Sequence, residues 1–306
     1  MRFMVEYPLL SNVDGGSWLD PENIVAFATN VEAIGLDAIS LTDHPAPSKK
    51  WLEGGGHETL DPFVGLAFCA AVTSRIRLMT YLVVVPYRNP LLLAKSMTSV
   101  DVLSGGRATF VLGTGYLRSE FAALGVEFDE RNELFDEAVD VMKDLWSTDS
   151  LSREGRHFKA VGQILSPRPV QRPHPPLWLG GNSSIVLDRV ARWGQGWAPL
   201  TGVPVVARTA RTPAISSDED LGRMIGELAG RLEANGRSLT DIEVIANSAE
   251  ATDLGSPMSA PERLERLQGL AAMGVGWTGV GVPRGSFAAA LDALHQFGEE
   301  VATKAR

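Results

Sequence analysis

The sequence predicts a (β/α)8 barrel of the TIM type, and three observations carry the prediction. Eight short apolar or β-branched runs recur along the 306 residues, each parted from the next by a helical pattern. Runs with so little polar interruption suit parallel strands buried on both faces. Their alternation with helices along the whole chain favours a closed barrel over an open doubly wound sheet. The helix starts also repeat one chemistry. Asp20-Pro21-Glu22, Asp61-Pro62, Asn89-Pro90 and Pro261-Glu262 each place proline in the first turn, where its missing N–H is not needed and its φ is already helical.

In chain order, the expected strands are 3–7, 37–41, 77–84, 108–112, 177–179, 196–198, 242–246 and 276–280. The third is the clearest, because Leu78 to Val85 is almost wholly apolar and β-branched. After it, Asn89 is read as an N-cap with Pro90 at N1, and Gly105-Gly106 stops that helix. The fourth strand then runs into Gly113-Thr114-Gly115. Leu134, Phe135, Ala138, Val141, Met142 and Leu145 share one face of a helix that packs on a barrel. Two insertions break the alternation. Residues 151–175, rich in Gly, Pro and Arg, are expected to form a hairpin or irregular crossing. Residues 201–218 follow the sixth strand on the C-terminal face, where a long connection reads as a mobile lid, with Arg208 or Arg211 as partners for an anion, or as a solvated loop. No domain boundary is visible, so 1–306 is read as one domain.

Composition narrows the class. A formal charge of −9 disfavours nonspecific binding to nucleic acid or to an acidic membrane. No run of about 18 apolar residues exists to span a membrane. The opening MRFMVEYPLL is too short and too charged for a secretory signal. The one cysteine, Cys69, sits in the apolar run LAFCAAV and is read as a core residue. A single thiol suits a reducing compartment, so a cytoplasmic protein is expected.

Chemistry in a barrel of this kind sits at the C-terminal ends of the strands. Thr42-Asp43-His44 ends the second strand. His44 there is placed to act as acid, base or electrostatic stabiliser, or else is a strand-end histidine satisfied by nearby backbone. Gly113-Thr114-Gly115 fails as a dinucleotide fingerprint, since Arg118 stands where the third glycine belongs. It reads better as a tight turn that lets a planar ring approach the backbone. Gly180-Gly181-Asn182-Ser183-Ser184 follows a short strand and opens a helix. Free N–H groups and the helix dipole make it an anion site, or else a plain turn with Asn182 or Ser183 as N-cap. His57, His157, His174 and His295 are scattered without zinc spacing, and no GxSxG nucleophile motif is present.

The run PYRNPLLLAKSMTSVDVLSGGR, followed by LGTGYLRSEF, is similar to the luciferase-like flavin and deazaflavin oxidoreductases. GLDAISLTDH upstream and PPLWLGGNSSIVLDRVARWGQGWAP downstream resemble the same family in order and spacing. The resemblance runs from about residue 3 to 199 and more loosely beyond. It implies that His44 lines the reactive face of the cofactor ring, and that Asp43 either faces its polar edge or only caps a turn. Thr80, Tyr81 and Leu82 would support the ring at a non-prolyl cis bulge, although a tyrosine stands where relatives have a small residue. Gly113, Thr114 and Ser119 would meet the ring, and Gly180, Gly181, Asn182 and Ser183 a cofactor phosphate. Trp51 and Tyr116 would line the substrate pocket.

Within the family the chain looks closest to the branch that uses coenzyme F420, which implies hydride transfer to or from a small organic substrate. The sugar-phosphate dehydrogenases of that branch carry tryptophan four residues after the histidine and glutamate after GTG. This chain has Ser48 and Tyr116 there, so oxidation of a sugar phosphate is not expected. An FMN-dependent monooxygenase fed by a separate reductase is the first alternative, and a noncatalytic cofactor-binding protein the second. The resemblance also implies a homodimer, with apolar outer positions in 61–74 as one candidate contact.

Overall fold

The computed structural model describes residues 1–9, 18–202, 204–247 and 249–306. Among the described residues the strands are β1 Arg2–Glu6, β2 Ala38–Leu41, β3 Arg77–Val84, β4 Ala108–Gly113, β5 Leu151–Glu154, β6 Lys159–Gln163, β7 Leu177–Gly180, β8 Gly196–Ala198, β9 Glu243–Val244 and β10 Trp277–Val280. Eight of them form one sheet in the order β10-β1-β2-β3-β4-β7-β8-β9, while β5 and β6 pair separately. These are the eight expected runs, shifted by a residue or two at their ends, and the fold is a (β/α)8 barrel.

The helices are α1 Pro21–Ile34, α2 Lys49–Glu53, α3 Pro62–Val72, α4 Pro90–Leu103, α5 Arg118–Ala123, α6 Arg131–Ser147, α7 Ser184–Arg192, α8 Pro204–Thr209, α9 Asp218–Ala234, α10 Ala249–Thr252, α11 Ala260–Ala272 and α12 Phe287–Phe297. Proline opens α1, α3, α4 and α11 as the sequence predicts. The caps differ in detail. Asp61 Oδ1 accepts from the N–H groups of Phe63 and Val64, and Asn89 Oδ1 accepts from that of Leu91 at 2.9 Å. Asp20 makes no such bond, so α1 starts on the preset φ of Pro21. No helix among the described residues is long and apolar enough to cross a membrane.

The chain divides into two compact units. In the first (Met1–Ser40, Arg75–Arg77 and Leu177–Arg306), β1 pairs in parallel with β10 on one side and β2 on the other. β7, β8 and β9 pair in sequence, and Ile245 bridges Trp277 to link β9 with β10. Alternate residues of β1 take opposite faces. Phe3 packs edge-on against Phe297 of α12 at 5.2 Å, while Met4 and Glu6 line a cavity of about 760 Å³. Gly196 is a required glycine, because a Cβ there would lie 2.5 Å from the Trp178 ring. The segment 201–218 is the long connection read as a mobile lid or a solvated loop. It contains α8, and buried Asn182 accepts from Leu200 N–H and donates to the carbonyls of Leu200 and Pro213. Val203 of that segment lies outside the described residues.

In the second unit (Leu41–Ser74 and Leu78–Pro176), β3 and β4 pair in parallel with a register shift between Tyr81 and Val83. The Tyr81–Leu82 peptide is cis. The amphipathic face read in 131–147 is buried as expected, with Phe135, Ala138, Val141, Met142 and Leu145 inside. Residues 151–163 form the hairpin, and the chain after it is pinned by buried Asp101, which accepts from the N–H groups of Val170 and Gln171 at 2.7 and 3.0 Å. Cys69 is a core residue, and burial pushes its thiol up to about 12.

Two glycines give opposite expectations. Gly196→Ala drives a methyl into the Trp178 ring and should cost about 1–3 kcal/mol of overpacking. Gly226, inside α9 with open space at its Cβ position, should gain roughly 0.8–1 kcal/mol as alanine from helix propensity. Urea titrations of both variants check the pair; equal destabilisation would contradict this packing.

Candidate active site

Leu41 ends β2, and the next three residues turn into the second unit's polar centre. Asp43 and His44 are both buried, at 2% and 9% exposure. Adjacent in sequence, they take different partners.

Asp43 is a clamp. Its Oδ2 accepts from Val84 N–H at 2.9 Å and from Arg88 Nη1 at 2.6 Å, and its Oδ1 accepts from Arg88 Nη2 at 2.9 Å. Arg88 also reaches Asp61 at 3.2 Å and lies over the Phe63 ring. A bidentate guanidinium pair of this kind fixes geometry as well as charge. The carboxylate expected at the polar edge of a cofactor ring is thus taken up in tying the end of β3 to the end of β2. Thr80 is likewise engaged by its own chain. It is fully buried, and its hydroxyl donates to Val111 O at 3.1 Å inside the β3–β4 pair.

His44 is held by a carboxylate that sequence reading did not single out as its partner. His44 Nδ1 lies 3.0 Å from Oε2 of Glu120, on α5. Glu120 is fully buried and also accepts from the Tyr87 hydroxyl at 3.0 Å and from Ala46 N–H at 3.2 Å. Thr59 Oγ1 donates to the His44 carbonyl at 2.8 Å. His44 Nε2 has no hydrogen-bond partner among the described residues. Burial, with the Glu120 charge second, pushes the Tyr87 phenol far above its ordinary value, so it stays a proton donor at any working pH.

Packing explains why these groups meet. Val84, Tyr87, Phe121 and Phe128 form one buried cluster with Leu82 and Val126 against it. Tyr87 and Phe121 stack edge-on at 4.9 Å, as do Phe121 and Phe128 at 5.0 Å. Phe121 anchors α5, and its neighbour Glu120 is thereby carried under Tyr87. Gly113 lets the bulge close, because a Cβ there would lie 2.4 Å from Leu82 Cδ1.

Aromatic rings wall the His44 side chain. Trp51 lies 4.5 Å away at a 39° tilt, His57 at 5.3 Å and Tyr116 at 6.1 Å, the last two edge-on. Trp51 and Tyr116 were expected at a substrate pocket and both stand beside His44; His57 was read as a stray. Trp51 reaches its place through Ser48, the N-cap of α2, and through Gly56, whose missing side chain admits the indole. Thr114 is half-buried and Ser119 exposed, and neither hydroxyl has a partner among the described residues.

The glycine turn belongs to the first unit and is partly occupied by its own chain. Gly181 N–H donates to Ala198 O at 3.0 Å, and Asn182 N–H to Thr212 Oγ1 at 2.8 Å. Asn182, expected at a phosphate, instead ties the turn to residues 200 and 213. Ser183 is the N-cap of α7, and its side chain makes no capping bond. Arg231 donates to the Ser184 hydroxyl and carbonyl from beside the helix start, with Asp188 and Glu227 against it.

The family model described as luciferase-like monooxygenase matches residues 1–300. The chain belongs to that family. It is 30% identical over 223 residues to the F420-dependent glucose-6-phosphate dehydrogenase of Kribbella flavida, a match covering 67% of this chain and 64% of that relative. It is 31% identical over 125 residues to the FMNH(2)-dependent dimethylsulfone monooxygenase of Pseudomonas putida, covering 40% of this chain and 34% of that one. Among solved structures, the monooxygenase RslO1 of Streptomyces bottropensis superposes with a TM-score of 0.80 over 100% of both chains, at 22% identity. F420-dependent and FMN-dependent enzymes are therefore both relatives.

Proposed function

We propose that the chain is an oxidoreductase that transfers hydride between coenzyme F420 and a small, uncharged organic substrate, with His44 as its proton-transfer group. The observation that carries the reading is the His44 side chain itself: rigidly held through Nδ1, walled by aromatic rings, and open at Nε2. The longer match to an F420-dependent relative supports the deazaflavin over FMN.

The residues present suit such a cofactor. The unengaged hydroxyls of Thr114 and Ser119 offer hydrogen bonds to the polar edge of a ring system, beside the turn at Gly115. A deazaflavin, when bound, supplies a carbon that accepts or gives hydride without oxygen chemistry. His44 would hold or take the substrate proton at Nε2. Trp51, His57 and Tyr116 would exclude water and flank the substrate. Each buried acid beside His44 is already matched by its own donors, Glu120 by Tyr87 and Ala46, Asp43 by Arg88. This wall therefore favours a substrate without charge at its reacting end. Separately, the Ser183 hydroxyl and the first N–H groups of α7 are proposed to take an anionic group.

The FMN-dependent monooxygenase is the second reading, supported by the Pseudomonas relative. Turnover separates the two: the deazaflavin enzyme works anaerobically, while the monooxygenase needs reduced FMN and oxygen.

Two variants test the assignments. His44→Asn should keep melting temperature and cofactor affinity near those of the parent while turnover falls roughly 10²–10⁴-fold, the scale of a positioned acid–base group. Undiminished turnover, with chemistry rate-limiting, would remove His44 from the reaction. Ser183→Asp keeps an N-capping side chain but adds negative charge where an anion would sit. Phosphate-bearing cofactor should then bind at least about tenfold more weakly, a difference of about 1.4 kcal/mol. Unchanged affinity in the folded variant would remove the anion-binding role from this turn.

A further inference from the structure

We propose that Glu120 and Tyr87 are positioning residues that fix the tautomer of His44, keeping the ring proton on Nδ1 and presenting the Nε2 lone pair to the reacting molecule. The proposal rests on His44 being the proton-transfer group, and it adds what makes that group a base with one orientation. Glu120 is fully buried, and no lysine or arginine among the described residues forms an ion pair with its carboxylate. A carboxylate in that setting persists only with its oxygens hydrogen-bonded. Oε1 takes Ala46 N–H; Oε2 takes the Tyr87 hydroxyl and His44 Nδ1. An ionised carboxylate only accepts, so Nδ1 must donate.

Tyr87 strengthens the constraint. Its phenol is half of the donor pair at Oε2, and burial beside Glu120 keeps it protonated. With one lone pair of Oε2 committed to Tyr87, the carboxylate cannot swing toward solvent and release the histidine. Trp51 packed against the imidazole at a tilt and the edges of His57 and Tyr116 restrict rotation of the ring. A neutral imidazole with its proton on Nδ1 has its lone pair on Nε2. When Nε2 takes a proton, the ring becomes a cation whose charge faces Glu120, 3.0 Å away, and the proton's return restores the starting tautomer. No electron leaves or enters the protein in this exchange.

The test reads the imidazole directly, with no cofactor or substrate present. Protein labelled with ¹⁵N-histidine gives two-bond ¹H–¹⁵N spectra of five histidines, and the signal lost in His44→Asn identifies His44. At a pH where the ring is neutral, His44 is expected to show a pyrrole-type Nδ1 and a pyridine-type Nε2. Glu120→Gln should convert it to averaged or Nε2–H shifts, since an amide can donate as well as accept. Tyr87→Phe keeps the carboxylate and guards against loss of folding in Glu120→Gln; it should move the Nδ1 shift part of the way. His157, held 2.8 Å from Glu137 in the same unit, should not move in either variant. An Nε2–H tautomer in the unaltered protein, or an unchanged His44 spectrum in the folded variants, would overturn the proposal. A fixed Nδ1–H tautomer in a protein that turns over nothing would instead count against the functional reading alone.

Discussion

The second unit is organised around one costly object, the fully buried carboxylate of Glu120. A buried carboxylate without a cation has to be surrounded by donors, or it costs several kcal/mol. Two segments supply them, the turn after β2 with His44 and Ala46 and the residues after β3 with Tyr87, and α5 brings the carboxylate itself. Each segment has its own anchor. Asp43 and Arg88 hold the ends of β2 and β3 together, while the Tyr87–Phe121–Phe128 stack seats α5. Removing any anchor would leave the carboxylate short of a donor, so fold and site in this unit share one constraint.

The neighbouring ion pair shows how adjacent residues divide labour. Asp43 and His44 are consecutive, yet the first spends its charge on structure and the second keeps a nitrogen open. Arg88 absorbs the charge of Asp43 and also contacts Asp61, the residue that caps α3. The bare charge next to His44 is thereby neutralised. What remains beside the imidazole is a set of ring surfaces, Trp51, His57 and Tyr116. Ser48 and Tyr116 stand where the resemblance implies tryptophan and glutamate, and the structure puts Trp51, seven positions after His44, against the imidazole. Ser48 is now the cap that starts the short helix carrying Trp51.

The barrel was legible in the sequence because its signals are local. Period, proline starts and glycine stops each act within a few residues, and they located all eight barrel strands. His44 was legible because a strand end fixes where its side chain emerges. The partner network was not, because it joins residues 76, 33 and 45 positions apart, and no periodicity records such distances. The residues themselves lay within the segments that carried the resemblance: Tyr87 and Arg88 in PYRN, Glu120 in LRSEF. A glutamate read as buried beside Phe121 would have demanded donors, and that was the available clue. Asn182 is a related case. Its side chain suits a phosphate as well as it suits the carbonyls of Leu200 and Pro213, and only the course of 200–213 decides.

The most direct test of this account is a crystal structure of the protein with oxidised F420 bound. The account requires the reactive ring carbon to face His44 with Nε2 on the substrate side, leaving room for one small molecule whose reacting atoms approach both within about 3–3.5 Å. The Nδ1–Glu120 contact should remain in place. A ring bound elsewhere, or a His44 turned away from Glu120 with Nε2 bonded to the protein, would contradict it.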